Sequence, residues 1–227
     1  LKTRTAANGK DALRELEEEE ISLVVSDVMM PEMNGFELCR MIKSQLPFSH
    51  IPVILLTALT DERQRIFGIT GGADDYIQKP FHTDYVKIKI IHLLQERRKL
   101  RERLLEKLRD NKLLLSEPEK VESIDDAFLR KFAEQIEAVY ADPEYNVEKL
   151  SETLGLSRGH LHRKIKELTG TAPVEFLRTY RLNKATQLLR QNAYTVSEVA
   201  YRTGFSSPAY FSKCFKAVYG VTPTEYQ

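Results

Sequence analysis

Three residues of different chemistry stand at the ends of three candidate strands: the apolar Leu23-Val24-Val25-Ser26 stops at Asp27, the apolar Ile51-Pro52-Val53-Ile54-Leu55-Leu56 at Thr57, and the shorter Asp75-Tyr76-Ile77-Gln78 at Lys79-Pro80. A carboxylate, a hydroxyl and an ammonium brought together suit phosphoryl transfer onto the carboxylate. Asp27 would be the nucleophile, with Thr57 and Lys79 as donors to the phosphoryl oxygens, because positioning and charge neutralisation supply most of the catalysis in such transfers. Taken alone, Asp27 could equally cap the helix that follows it.

Runs of four to six apolar residues with little alternation suit strands buried on both faces of a parallel sheet. In an open α/β sheet the carboxyl ends of the strands form the ligand crevice, which is where all three residues fall. Pro31 and Asn34-Gly35 then turn the chain away from the first of them.

The segments "SDVMMPEMNGFE", "PVILLTA" and "GADDYIQKPF", in this order and at these spacings, give residues 1–95 a resemblance to the receiver domain of response regulators. That resemblance implies an α/β doubly wound parallel sheet, a phospho-acceptor at Asp27, a switch hydroxyl at Thr57, and a cis bond between Lys79 and Pro80. It also implies that Tyr76 turns inward on activation. Mg2+ would be held by Asp27, the backbone carbonyl of Met29 and an acidic pair at the end of the family's first strand. Leu1-Lys2-Thr3-Arg4-Thr5-Ala6 reads as the family's second strand, leading into "ANGKDALREL". The first strand, its helix and the acidic pair are therefore expected to be missing from this chain, and the Mg2+ site to be incomplete.

With 227 residues and 42% hydrophobic content, one or two domains with ordinary buried cores are expected. Nothing approaches the ~18 apolar residues of a membrane span, and no signal peptide opens the chain. Cys39 and Cys214 read as buried thiols in a reducing cytoplasm, and His50, His82 and His92 have no ligand-spaced partners. The run Glu17-Glu18-Glu19-Glu20 reads as a solvated helix end. No nucleotide-binding glycine motif or catalytic triad is visible, so a non-enzyme is expected. From Asp84 to about Leu115 nothing breaks a helix. Leu93, Leu100, Leu104 and Leu108 fall on one side of it, in a seam interrupted at Arg97. Such a helix either pairs as a coiled coil or packs on its own domains. Residues 96–124 read as a helical extension and linker, with the polar, proline-containing Ser116-Glu117-Pro118-Glu119-Lys120-Val121-Glu122-Ser123 as boundary.

The last hundred residues repeat internally. Val147, Leu150, Gly155 and Leu156 recur 49 positions on as Val196, Val199, Gly204 and Phe205. Leu161, Ile165, Lys166, Gly170 and Pro173 recur 50 positions on as Phe211, Phe215, Lys216, Gly220 and Pro223. Each unit, 146–170 and 195–220, reads as helix, Gly turn and Ser-capped helix: Ser157 opens one, Ser207 with Pro208 the other. This is a helix-turn-helix twice over, joined by the helix beginning at Pro173. Residues 155–190 hold 8 basic against 2 acidic side chains, a local excess that suits a polyanion far better than the whole-chain charge of +1 does.

The tandem, with "FLRTYRLNKATQLL" between its units, is similar to the DNA-binding domain of the AraC/XylS family over residues 125–227. The likeness implies that Arg158, Gly159, His162 and Arg163 enter one major groove and Pro208, Ala209, Ser212 and Lys213 the next. Gly159 stands where relatives often carry a large side chain, and Pro208 and Ala209 make the second readout weak. Arg163 suits a bidentate contact to guanine. Lys164, Lys166, Arg178, Arg181 and Lys216 are candidates for phosphates, Leu161, Ile165, Phe211 and Phe215 for the buried sides. His160 and Tyr210 either touch DNA or pack, and packing is the reading adopted.

The sequence thus reads as a phosphorylation-controlled, sequence-specific transcription regulator of a two-component system: an α/β receiver plus an all-α tandem helix-turn-helix domain, joined by a long helix. Its order resembles the C-terminal part of a hybrid sensor kinase, which would make the parent an inner-membrane protein with this part in the cytoplasm. A free-standing response regulator is the near alternative. From other classes come a phosphotransfer intermediate and a DNA-binding module with a structural, unphosphorylated receiver. The expected partners are double-stranded DNA, a histidine kinase in cis or in trans, RNA polymerase, and a second copy on activation.

Overall fold

The computed structural model describes residues 2–58, 72–109 and 123–227, and the chain divides into two compact units, Leu1–Leu100 and Arg101–Gln227. The first contains α1 (Gly9–Glu18), β1 (Val24–Asp27), α2 (Gly35–Ser44), β2 (Val53–Thr57), β3 (Asp75–Gln78) and α3 (Thr83–Arg109), which runs on past its boundary. The strands are parallel in the order β1-β2-β3, with Val24 opposite Val53 and Leu55 opposite Tyr76. Both helices that precede a strand are opened by asparagine. The Asn8 side chain accepts from the Asp11 N–H, and Asn34 forms a reciprocal capping box with Glu37. Leu38, Cys39 and Ile42 on one side of α2 bury against Val53 and Leu55, while β1 and β2 leave no polar side chain in this core except Ser26 and Thr57.

Gly35 decides how closely α2 follows β1. Its N–H donates to the Val28 carbonyl at 3.0 Å, and a Cβ at this position would lie 2.2 Å from the carbonyl oxygen of Asp27. Only glycine lets the helix start directly beneath the strand end. Residues 2–6, expected as a strand, are not one: they are exposed and make no ladder. Lys2, Thr3, Arg4 and Thr5 are polar, and an extended segment becomes a strand only where its N–H and C=O groups meet a neighbouring strand. Arg4 instead pairs with Glu19 at the end of α1.

Arg97 interrupts the apolar seam of the long helix, and the structure gives the reason. Its guanidinium donates to the His50 carbonyl and, at 2.8 Å, to Asp74. Asp74 also accepts from Lys43 at 2.6 Å and from the Val53 N–H at 2.8 Å, and Lys43 reaches the Ile51 carbonyl at 2.9 Å. One carboxylate therefore ties α2, the start of β2, the start of β3 and α3 together. On the other side of α3 Tyr85, Ile88 and Ile91 are exposed. The side chains of Leu100, Leu104 and Leu108 and the boundary residues 116–122 lie outside the described residues.

Burial alone would raise the pKa of Asp74, but Lys43, the Val53 amide and Arg97 outweigh it and hold the carboxyl below the ordinary carboxylate range. The unfolded chain then binds the proton more tightly than the folded one. The stabilisation is complete above the unfolded pKa of ~4 and is lost as pH falls through the lower folded value. Acid unfolding of the first unit, followed by circular dichroism, should accordingly be shallower in Asp74→Asn than in the wild type, with the two curves converging in strong acid. Identical pH profiles would contradict this role for Asp74.

The second unit is helical: α4 (Ile124–Val139), α5 (Val147–Leu154), α6 (Arg158–Thr169), α7 (Pro173–Arg190), α8 (Val196–Arg202), α9 (Pro208–Tyr219) and α10 (Pro223–Tyr226). The repeat in the sequence becomes a repeat in structure. Asn146 and Thr195 cap the first helix of each pair, and Ser157 and Ser207 cap the second. Gly155 at φ 68° and Gly204 at φ 77° carry the turns between them in left-handed conformation, where a side chain is strained. Leu161, Ile165, Phe211 and Phe215 are fully buried on the inner sides of α6 and α9. Leu182, Ala185 and Leu189 of α7 lie in the same cluster as Phe211 and Phe215. Cys39 and Cys214 are both buried and reduced.

Candidate functional site

The carboxyl ends of the three strands bring the first candidate group together. Asp27 ends β1 and its Oδ2 is met by the Lys79 ammonium. Its Oδ1 accepts from the Met29 N–H at 3.2 Å. Burial raises the Asp27 pKa, while Lys79 and the amides of Met29 and Val28 lower it and prevail, so the carboxyl stays ionised well into acid. Both side chains keep about a third of their surface in solvent, 36% for Asp27 and 37% for Lys79, so a donor can reach the carboxylate. An ionised, reachable carboxylate beside a fixed cation is what a phosphoryl acceptor requires.

Backbone bonds position these residues. The Val28 N–H donates to the Leu56 carbonyl at 3.0 Å and the Lys79 N–H to the Thr57 carbonyl at 2.7 Å. The ends of β1, β2 and β3 are thereby locked side by side, with buried Thr57 on the middle strand. The Lys79–Pro80 bond is cis. Tyr76 is turned inward: it packs on the cluster containing Cys39, and its hydroxyl is buried without a hydrogen-bond partner among the described residues. Burial pushes its phenol up to about 12.

Asp27 and the Met29 carbonyl are the metal donors expected here. Among the described residues no three His, Cys, Asp or Glu side chains cluster as a metal would require. One carboxylate and one carbonyl form only part of the octahedral shell of Mg2+, an ion that commonly keeps several waters.

The second candidate group lies on α6 and α9. Arg158, Gly159, His162 and Lys166 are exposed along one side of α6. Nothing stands near a Cβ built on Gly159. Arg158 pairs with Glu148 at 2.7 Å, and Arg163 is half-buried. On α9 Ala209, Lys213 and Lys216 are exposed, while Pro208 and Ser212 are half-buried and the Ser212 hydroxyl donates to the Pro208 carbonyl at 2.9 Å. Tyr210, read from sequence as packing, is 51% exposed. His160 is half-buried.

Two of the expected phosphate contacts are corrected. Lys164 is completely buried, ion-paired with Asp125, and its ammonium sits 5.0 Å from the centre of the Phe128 ring. It falls three residues after Leu161 and one before Ile165, on the inner stripe of α6, so helical periodicity alone was the signal that could have removed it. Arg181 donates from Nε to the Tyr140 carbonyl at 2.8 Å and from Nη2 to the Asp142 carbonyl at 2.6 Å. Its burial pushes the guanidinium pKa down. Its partners are backbone carbonyls, which no sequence pattern advertises. Arg178, paired with Glu175 at 3.3 Å, stays at the surface with Lys166 and Lys216.

Comparison with known proteins gives two family matches: residues 1–91 match the response regulator receiver domain and residues 150–227 a helix-turn-helix domain. Histidine kinase P4 of Formosa agariphila is 40% identical over 222 residues, covering 98% of this chain and 16% of that protein. Response regulator SaeR of Staphylococcus aureus is 36% identical over 124 residues, 55% of this chain and 53% of its own. The chain thus spans less than two thirds of either relative. Among solved structures, the C-terminal domain of the two-component response regulator yesN from Fusobacterium nucleatum is 33% identical with a TM-score of 0.42, covering 43% of this chain and 95% of that one.

Proposed function

We propose that this chain, a two-component response regulator by its receiver domain at 1–91 and its AraC-type helix-turn-helix domain at 150–227, converts phosphorylation of Asp27 into control of sequence-specific DNA binding. The observation that carries the reading is the Asp27–Lys79 pair at the joined strand ends. An Asp27 oxygen attacks the phosphorus of the donor, and the donor's leaving group departs with its bonding electrons. The Lys79 ammonium neutralises the charge that arrives, and the Thr57 hydroxyl donates to a phosphoryl oxygen. Mg2+, which receiver domains bind for phosphorylation, would take Asp27 and the Met29 carbonyl as its donors from the described residues and supply further charge neutralisation.

The tandem domain, taken as residues 125–227 with 96–124 as extension and 1–95 as receiver, supplies the output. Arg158, Gly159, His162 and Arg163 face one major groove, and Pro208, Ala209, Ser212 and Lys213 the next. Lys166 and Lys216 hold phosphates. Likeness to a histidine kinase across 98% of this chain supports a hybrid parent in which the phosphodonor kinase lies in the same polypeptide. The likeness to SaeR keeps a free-standing regulator with a kinase in trans as the second reading. No helix among the described residues is long and apolar enough to cross a membrane. A second copy and RNA polymerase complete the proposed partners.

The test selects duplexes from a random library with the chain, then measures their affinity before and after acetyl phosphate and Mg2+. Coupling of the usual 1–3 kcal/mol corresponds to a change of roughly 5- to 150-fold in affinity. An affinity unchanged when Asp27 is shown by mass spectrometry to carry the phosphoryl group would refute control by the receiver.

A further inference from the structure

The two helix-turn-helix units are joined through α7, yet a second connection runs to the turn of the second unit from the end of α4, just ahead of the first unit. The Tyr140 carbonyl, at the C-terminal end of α4, accepts from Arg181 Nε, and the Asp142 carbonyl just beyond it accepts from Arg181 Nη2. The turn of the second unit closes on this same point. A Cβ added to Gly204 would lie 2.1 Å from the Tyr140 carbonyl oxygen and 2.8 Å from Arg181 Nε. One helical turn along α7, Lys184 pairs with Glu137 at 2.8 Å and lies 5.4 Å from the ring centres of both Tyr140 and Tyr180.

We infer that Arg181 is a positioning residue for DNA recognition, fixing the separation and angle of the two reading helices by locking the turn of the second unit to the end of α4. The inference rests on the DNA-binding reading above and assigns Arg181 no contact with DNA. The last carbonyls of a helix have no partner within it and must find donors elsewhere. A planar guanidinium suits this place because two of its N–H groups leave in fixed directions and reach two carbonyls at once, which a lysine cannot do. Gly204 is then required for a reason beyond its left-handed turn: any side chain would push the second unit off the Tyr140 carbonyl. Fixed helices can enter successive major grooves at only one separation. The junction therefore sets which spacing of DNA elements is read, while α6 and α9 set which bases.

Duplexes are selected from a random library with the wild-type chain, Arg181→Met and Arg181→Lys, and the enriched sequences are compared. The wild type should enrich two elements at one separation. Arg181→Met should enrich the same elements over a spread of separations, and Arg181→Lys over a narrower spread. On the duplex preferred by the wild type, both variants should lose about tenfold in affinity, the scale of one mismatched base pair or somewhat more, with binding to a single element unchanged. A purely structural role would lower the melting temperature and the yield of bound duplex but leave the separation as it is. Retention of one wild-type separation by either folded variant would overturn the proposal. Failure of the wild type to enrich any sequence would overturn the DNA-binding reading itself and this inference with it.

Discussion

Asp27→Asn is expected to eliminate phosphoryl incorporation from acetyl phosphate, as read by intact-protein mass spectrometry. An amide oxygen is a far weaker nucleophile than a carboxylate, and the product would lack the acyl phosphate that the carboxylate forms. The structure sharpens the expectation through a control. Asp74 is also ionised well into acid, and it too sits between cations, Lys43 and Arg97. It lies at the opposite, amino-terminal ends of β2 and β3, where its oxygens are bound by the Val53 amide and by both cations. Asp74→Asn should therefore leave incorporation intact while lowering stability above about pH 4, where the Asp74 carboxylate is ionised in both states. Lys79→Met should fall between the two: the nucleophile remains, but the charge it acquires lacks its neutralising partner. One mispositioned or missing electrostatic donor at a reacting centre costs on the order of 10²-fold or more in rate. Incorporation into Asp27→Asn at the wild-type level would place the acceptor elsewhere and remove the basis of the proposed switch.

What the sequence disclosed and what it hid divide along a physical line. Strand ends were legible because burial on both faces demands continuous apolar runs, and a polar residue at the end of such a run stands out. Asp27 and Thr57 were found that way, and Lys79 by its place in "GADDYIQKPF". The paired helices of the second unit were legible because caps and left-handed glycines have fixed places, as with Ser157, Ser207, Gly155 and Gly204. The long cations were not. Arg97 read as a break in an apolar seam and Lys164 and Arg181 as phosphate contacts, and each in fact reaches across the fold: Arg97 to the His50 carbonyl and Asp74, Lys164 to Asp125, Arg181 to Tyr140 and Asp142. Their partners lie 23 to 47 residues away in the chain, and several are backbone carbonyls. Side-chain type conveys charge, but which charge is buried depends on tertiary neighbours. The segment at residues 2–6 failed for a related reason, since strand formation is a property of a pair.

With Lys164 and Arg181 engaged by Asp125 and by the Tyr140 and Asp142 carbonyls, a shallower salt dependence of DNA binding is expected. Each phosphate neutralised by a lysine or arginine releases condensed counterions, giving a slope of about −0.9 per contact in a plot of log affinity against log salt. Of the cations assigned to phosphates, Lys166, Arg178 and Lys216 are the ones that remain at or near the surface. About three contacts give a slope of about −2.7, a loss of about 40-fold between roughly 50 and 200 mM salt. Had Lys164 and Arg181 also met phosphates, the slope would steepen to about −4.5 and the loss to several-hundredfold over the same range. The two arrangements are separated by variants as well as by magnitude. Lys166→Ala should reduce the slope by about one and weaken all duplexes alike. Lys164→Met should leave the slope unchanged while lowering the melting temperature, because it strands Asp125 without its partner. Isothermal titrations across a salt series on one selected duplex measure both quantities. A slope that falls with Lys164→Met but not with Lys166→Ala would mean that α6 meets DNA with its other face.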